Sequence, residues 1–192
     1  MMQVAKALQH AHQRGFIHRD IKPKNIMISR TGTVKLADLG LARALADKEA
    51  AVAEAGRAYG TPYYISPEQI RGEVEIGPPA DIYGLGATFY HMVTGQVPFE
   101  GKNPSAVMHK HLKAELTPPD HVNPKISAGC AAVIEMMMAK RTKDRYLSDD
   151  DLIEDLKLIA QGRAPRFARS SLDLTGVAMP AQPVAPTAKF SN

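Results

Sequence analysis

A mainly helical α+β domain carrying one small β-hairpin is the fold class that this sequence predicts, and three observations lead to it. Apolar residues recur at helical spacing in several separate stretches, from the first residues to about position 160. Two short β-like runs, "NIMIS" at 25–29 and "TVKL" at 33–36, are joined by Arg30-Thr31-Gly32, which is a hairpin signal. Proline-rich turns separate the later helical stretches. At 192 residues the chain can bury a real core in one domain but not in two.

The elements follow in order. Gln3 to Arg14 places Val4, Ala7, Leu8 and Ala11 on one helical face, and Gly15 supplies the left-handed residue that ends such a helix. The hairpin comes next. Residues 41–58, "LARALADKEAAVAEAGRA", are predicted helical from alanine content alone. "YGTPYYISPEQI" breaks that pattern with its glycine and prolines. Ala80 to Thr94 is an apolar helix closed by Gly95. Pro104–Ala114, Ala128–Ala139 and Asp149–Ala160 are further helices, the last with Ser148 as N-cap. After position 161 prolines and alanines replace large apolar residues, so the division is a folded domain over 1–161 and a disordered tail over 162–192.

Composition excludes several classes. Hydrophobic residues are 44% and charged residues 23%, as in ordinary soluble proteins. The net charge of +4 is spread without a basic block, so no nucleic-acid partner is expected. No run approaches the ~18 apolar residues of a membrane span, and no signal peptide is legible at the start. Cys130 is the single cysteine, which rules out an internal disulfide, fits a reducing compartment and reads as a buried structural thiol. Cytoplasmic localisation is the resulting expectation. His10 with His12, and His109 with His111, stand two residues apart; on a helix such pairs diverge, so neither is expected to bind metal.

One stretch does not fit a plain scaffold. "FIHRDIKPKNIMIS", 16–29, sets Asp20, Lys22 and Asn25 in a short loop between apolar segments. Further along stand "DLG" at 38–40, "GTPYYISPE" at 60–68, "DIYGLGATFYHMVTG" from Asp81, and "KRTKDRY" ending at Tyr146. In this order the motifs resemble the eukaryotic-type (Hanks-type) serine/threonine protein kinases, in a bacterial-looking form, from roughly Val4 to Ala160. The resemblance implies the protein-kinase-like α+β fold, here its mainly helical C-terminal lobe with the hairpin. It also implies phosphoryl transfer from MgATP to protein serine or threonine hydroxyls.

By that resemblance Asp20 orients the substrate hydroxyl and accepts its proton, and Lys22 neutralises the γ-phosphate. Asn25 and Asp38 hold Mg²⁺, a hard cation that takes oxygen ligands, and Met27 lies against the nucleotide. Thr61 hydrogen-bonds near Asp20, Glu68 and Arg145 form a buried ion pair, and Asp81 accepts bonds from the loop backbone. His18 and Leu39 pack in an apolar stack; leucine replaces the family's phenylalanine at 39. Arg19 is of the type that usually binds a phosphate on the activation segment. Yet 41–60 contains no serine or threonine, and Tyr59 is its only hydroxyl. The expectation is therefore that Glu49 or Glu54 partners Arg19, or that nothing does.

The family's glycine-rich loop, strand lysine and paired glutamate have no counterpart among these residues. "VAK" at 4–6 and "GLGATF" at 84–89 are superficial likenesses within helices. The N-terminal lobe is thus expected to be missing, through truncation, a mis-called start or a split gene, and an upstream chain is a candidate partner. The isolated chain is expected to be inactive, with Met27 and Leu39 exposed on the face meeting that lobe. Two alternatives are a non-catalytic, kinase-derived protein-binding module and, more remotely, a metal-dependent phosphohydrolase, which would want more metal ligands.

Overall fold

The computed structural model describes residues 1–38, 42–44, 46, 47, 49, 56 and 60–168. Helix α1 (Met2–Gln13) buries Val4, Ala5 and Leu8, and Gly15, at φ 76°, turns the chain out of it. Strands β2 (Ile26–Ile28) and β3 (Val34–Leu36) pair antiparallel, with Met27 opposite Lys35. Their turn closes through Ser29 N–H to the Thr33 carbonyl at 2.9 Å, with Gly32 at φ 79°.

A second pair joins β1 (Phe16–Ile17) to β4 (Arg43–Ala44). This corrects part of the helix expected over 41–58: residues 43 and 44 serve as a strand, because pairing with β1 outweighs a weak alanine propensity. Most of the remainder of 41–58 lies outside the described residues.

Helix α2 (Pro67–Ile70) is short and carries a capping box between Ser66 and Gln69. Helix α3 (Pro78–Thr94) begins two residues before the expected start, because Pro78 and Pro79 occupy a first turn whose N–H groups have no helical partner anyway. It is the centre of the fold. One face, with Ile82 and Leu85, joins Val4 and Leu8 of α1 in the larger core cluster. The other, with Tyr83, Ala87 and Tyr90, packs on Phe99, Ile134 and Met138. Apolar residues around the helix match its burial from Ala80 to Thr88 and at Tyr90, while its last turn, with Met92, reaches solvent.

Around it stand α4 (Pro104–Lys113), α5 (Pro119–Val122), α6 (Ala128–Met137) and α7 (Asp149–Ala160). Ser148 caps α7 by accepting the Asp151 N–H, and Asp149, Asp150 and Asp151 complement the positive end of its dipole. Helix α6 stops two residues short of the expected Ala139, with Met137 and Met138 turned into the core.

Packing continues past residue 162, where the tail was expected to begin. Asp155, fully buried on α7, accepts N–H bonds from Arg166, Phe167 and Ala168, and Ala168 is itself buried. A buried carboxylate that needs donors gathers this segment, which composition could not show. Residues 169–192 lie outside the described set. Cys130 is half-buried and its thiol pKa is pushed up by that burial, away from nucleophilic character. No helix among the described residues is long and apolar enough to cross a membrane.

Two features give measurable expectations. A Cβ at Gly86 would lie 2.7 Å from Met137 Cβ, so α3 and α6 touch where only glycine fits. Gly86→Ala is expected to lower stability by about 1–3 kcal/mol, read from the urea midpoint. His111, fully buried and hydrogen-bonded to the Tyr83 hydroxyl at 2.7 Å, is driven down to about 3, by burial first and then by the Lys140 charge. The unfolded chain takes up this proton near 6.5 and the folded one does not until about 3. Its contribution is therefore present above 6.5 and lost as pH falls towards 3, at up to about 1.4 kcal/mol per unit. His111→Gln should flatten the acid limb of stability against pH.

Candidate active site

The loop between β1 and β2 is held by polar groups from three directions. Asp81, in the first turn of α3 and 1% exposed, accepts the His18 N–H at 2.8 Å and the Arg19 N–H at 2.7 Å. The carbonyls are taken in turn. Gln69 Nε2 donates to Arg19 O at 2.7 Å, Asn25 Nδ2 to Asp20 O at 2.9 Å, and Thr88 Oγ1 to Ile21 O at 3.4 Å. Every one of these partners is needed, because the loop passes through the interior, where an unpaired backbone group costs about 1–3 kcal/mol. Arg19 sits at φ 67°, a conformation that non-glycine residues seldom adopt and that this anchoring maintains.

The anchored loop presents a cluster of side chains. Asp20, 8% exposed, receives Lys22 Nζ on Oδ2 at 2.5 Å and the Thr61 hydroxyl on Oδ1 at 3.0 Å. Lys22 Nζ also donates to Thr61 Oγ1 at 2.8 Å, closing a triangle of carboxylate, ammonium and hydroxyl. Asn25, in a single 3₁₀ turn begun by Pro23, is buried; its Nδ2 also lies 3.3 Å from Asp20 Oδ2. Both contacts use the amide nitrogen, so its oxygen faces away from Asp20.

Asp38 follows β3 by two residues, is exposed and takes φ 65°. The preceding residue is tied to the same loop, since the Ala37 N–H donates to Asn25 O at 2.8 Å. Hard oxygen donors on Asn25 and Asp38 suit a small divalent cation. Among the described residues no group of three or more His, Cys, Asp or Glu is placed to hold a metal ion.

His18 is buried with Nε2 donating to the Ala37 carbonyl at 3.2 Å, so it braces the segment leading to Asp38. Met27 is 53% exposed on β2. Glu49 is exposed, while Leu39, Glu54 and Tyr59 lie outside the described residues. Arg19 is buried beneath the loop.

Below the cluster, Arg145 uses all five of its donors. Nη1 and Nη2 meet Glu68 Oε1 and Oε2 at 2.7 and 2.9 Å, and carbonyls of Pro79, Ala139 and Lys140 take the rest. The guanidinium also lies 4.8 Å from the Tyr83 ring centre. Both charges are almost completely buried, so the pair ties α2, which carries Gln69, to the turn before α7.

Sequence reasoning overlooked Gln69, Thr88 and His12. Gln69 had a signal, the S-x-x-Q capping box at 66–69. Thr88 is a helical residue with no local mark. The spacing of His12 from His10 raises only a metal question, whereas its ring hydrogen-bonds with Asp81 and Asp149.

A carboxylate, an ammonium, a hydroxyl and a buried amide thus stand together on a loop held from the interior of a mainly helical lobe. The family model described as the protein kinase domain matches residues 1–154, and the chain belongs to that family. It is 41% identical to a probable serine/threonine-protein kinase of Corynebacterium efficiens over 90% of its own length. It is 38% identical to the serine/threonine-protein kinase PknB of Mycolicibacterium smegmatis over 94%, and 39% identical to PknB of Mycobacterium tuberculosis over 88%. It spans only 27–29% of the length of these relatives.

The buried pair yields a stability prediction. Arg145→Met strands Glu68 and is expected to cost about 3–5 kcal/mol in urea unfolding. The double variant with Glu68→Leu should recover a substantial part of that loss.

Proposed function

We propose that this chain carries the large-lobe half of a protein serine/threonine kinase site, which transfers the γ-phosphoryl group of ATP to a protein serine or threonine hydroxyl. The observation that carries the reading is the triangle of Asp20, Lys22 and Thr61 on a loop whose backbone is held by Asp81, Gln69, Asn25 and Thr88. The substrate oxygen bonds to the γ-phosphorus as the bond to the β-bridging oxygen breaks and ADP leaves. Asp20 orients the attacking hydroxyl and takes its proton. Lys22, already 2.5 Å from that carboxylate, offers positive charge where phosphoryl oxygens gather negative charge. Thr61 holds the other Asp20 oxygen, which fixes the direction of the proton-accepting lone pair.

Asn25 and Asp38 are the residues for Mg²⁺, which when bound neutralises phosphate charge. Met27 and its neighbour Ile28, 53% and 68% exposed, point to opposite faces of β2, so the hairpin is uncovered on both sides here. Such a surface suits the nucleotide base and a small lobe laid over it. The glycine-rich loop and strand lysine of the family are not among these 192 residues. Positioning is therefore built for one side of the nucleotide. The single cysteine fits a reducing compartment, and the proposed setting is protein phosphorylation in cytoplasmic signalling.

The test is transfer from labelled MgATP to a basic protein, with Asp20→Asn alongside. The 192-residue chain alone is expected to show negligible transfer. Joined to the small lobe of one of the relatives above, it should transfer phosphate, and Asp20→Asn should lower that rate by about a thousandfold. Full activity in the variant, or none in the folded fusion, would overturn the reading.

A further inference from the structure

Two adjacent residues in the turn before α7 reach buried carboxylates in different parts of the lobe. Arg145, at φ −90° and ψ 176°, is extended, so its side chain and that of Tyr146 leave the backbone on opposite sides. The Arg145 guanidinium meets Glu68 on α2, and the Tyr146 hydroxyl donates to Asp155 Oδ2 on α7 at 2.7 Å. All four residues are 2% exposed or less. Burial first, then the hydrogen bond to Asp155 and the charges of Asp155 and Asp151, push Tyr146 above the usual tyrosine range, so its hydroxyl keeps its proton.

Asp155 has a second set of partners. After α7, Gly162 at φ 70° turns the chain back, and the Arg163 N–H closes that turn on the Leu158 carbonyl at 2.9 Å. Pro165 then lies against Gly129 of α6, where a Cβ would come 3.0 Å from the proline ring. Beyond it three successive N–H groups converge on the carboxylate. Arg166 reaches Oδ1 at 2.6 Å, Phe167 lies 3.2 Å from both oxygens, and Ala168 reaches Oδ2 at 2.9 Å. An ionised carboxylate offers about four acceptor sites. Here three of the four donors belong to this strap, and Tyr146 is the other. Ala168 and Tyr146 also share one core cluster with Leu152 and Leu156.

We propose that Asp155 is a positioning residue for the Arg145–Glu68 pair: by binding the strap 165–168 and the Tyr146 hydroxyl together, it fixes the turn that carries Arg145 and, through Gln69, the loop that carries Asp20. With the strap seated, the carboxylate is fully paired and has no reason to turn. With the strap lifted it keeps one donor, and a buried charge so poorly paired turns towards water. The Tyr146 hydroxyl then moves with it or loses its partner. Arg145 is one peptide unit away, and a planar peptide passes a displacement on instead of absorbing it. The guanidinium tolerates little displacement, because its donors are spread over Glu68 and the carbonyls of Pro79, Ala139 and Lys140. Gln69, next to Glu68, holds the Arg19 carbonyl at 2.7 Å. The inference rests on the kinase reading only in what the Asp20 loop does; the brace itself is a property of the folded chain.

The experiment is nuclear magnetic resonance on this chain, reading hydrogen-exchange protection of backbone amides, the Arg145 Nε–H and the Gln69 side-chain amide. Four proteins are compared: the parent, Arg166→Pro, Tyr146→Phe and the double variant. Arg166→Pro removes one strap donor and leaves Asp155 in place. Tyr146→Phe cuts the link and keeps the strap. Each single variant is expected to lower protection at Arg145 Nε–H and Gln69 by about tenfold, while the β2–β3 amides keep theirs. In the double variant the loss should be no larger than in either single one, since both break the same connection. In Tyr146→Phe the amides of 166–168 should stay protected. If Arg166→Pro fails to fold, Tyr146→Phe decides the matter by itself. Unchanged protection at Arg145 and Gln69, additive losses in the double variant, or an equal fall across the β2–β3 amides would each overturn the proposal. None of these readouts involves phosphoryl transfer, so a failed kinase reading would leave them intact.

Discussion

The described fold hangs on one buried carboxylate. Asp81 stands in the first turn of α3 and receives the N–H groups of His18 and Arg19 together with the ring of His12. Without those bonds the loop would carry unpaired backbone donors through the interior, and Arg19 would have little reason to keep a left-handed conformation. With them, the loop's position becomes a property of α3, a helix buried over most of its length. This is how charged side chains come to stand between two apolar segments without melting them. The charges at the tip remain available because the backbone's polar demands are met below.

The same helix carries the second constraint. Tyr83, two residues after Asp81, lies under the Arg145 guanidinium and bonds His111 of α4. Arg145 fastens Glu68, and one residue on, Gln69 reaches the Arg19 carbonyl. The path from the turn before α7 to the loop that carries Asp20 therefore runs through two polar contacts flanking α3. Thr61 completes it from the segment entering α2, by bonding Asp20 and Lys22. Small residues let these elements approach. A Cβ at Gly84 would come within 3.2 Å of Ile21 and 3.4 Å of the Tyr64 carbonyl, so the loop and the entering segment both lie against bare backbone.

Much of this was legible in the residues. The hairpin followed from alternating apolar residues around Thr31-Gly32, and α7 from Ser148 ahead of a periodic acidic-apolar run. The grouping of Asp20, Lys22 and Asn25 was visible because five positions of chain cannot separate them far. Residues 43 and 44 misled, since alanine content speaks for helix only where no strand competes. The start of the tail was placed too early, because nothing near residue 166 announces that Asp155 needs its N–H. Gln69 could have been found from its capping box. His12 could not: the spacing of His10 and His12 invites a metal reading, whereas its partners lie 69 and 137 residues away.

By itself the sequence determined what is local: where helices begin and end, where the chain reverses, and which reactive groups share one loop. These follow from backbone conformations and side-chain periods that act over a few residues. Tertiary structure decided which distant residues hold that loop, that the His12 ring meets two carboxylates, and that the chain stays packed through Ala168. Those outcomes depend on how α1, α3 and α7 pack, since only packing sets the distance between groups far apart along the chain, and distance decides which buried polar group finds a partner.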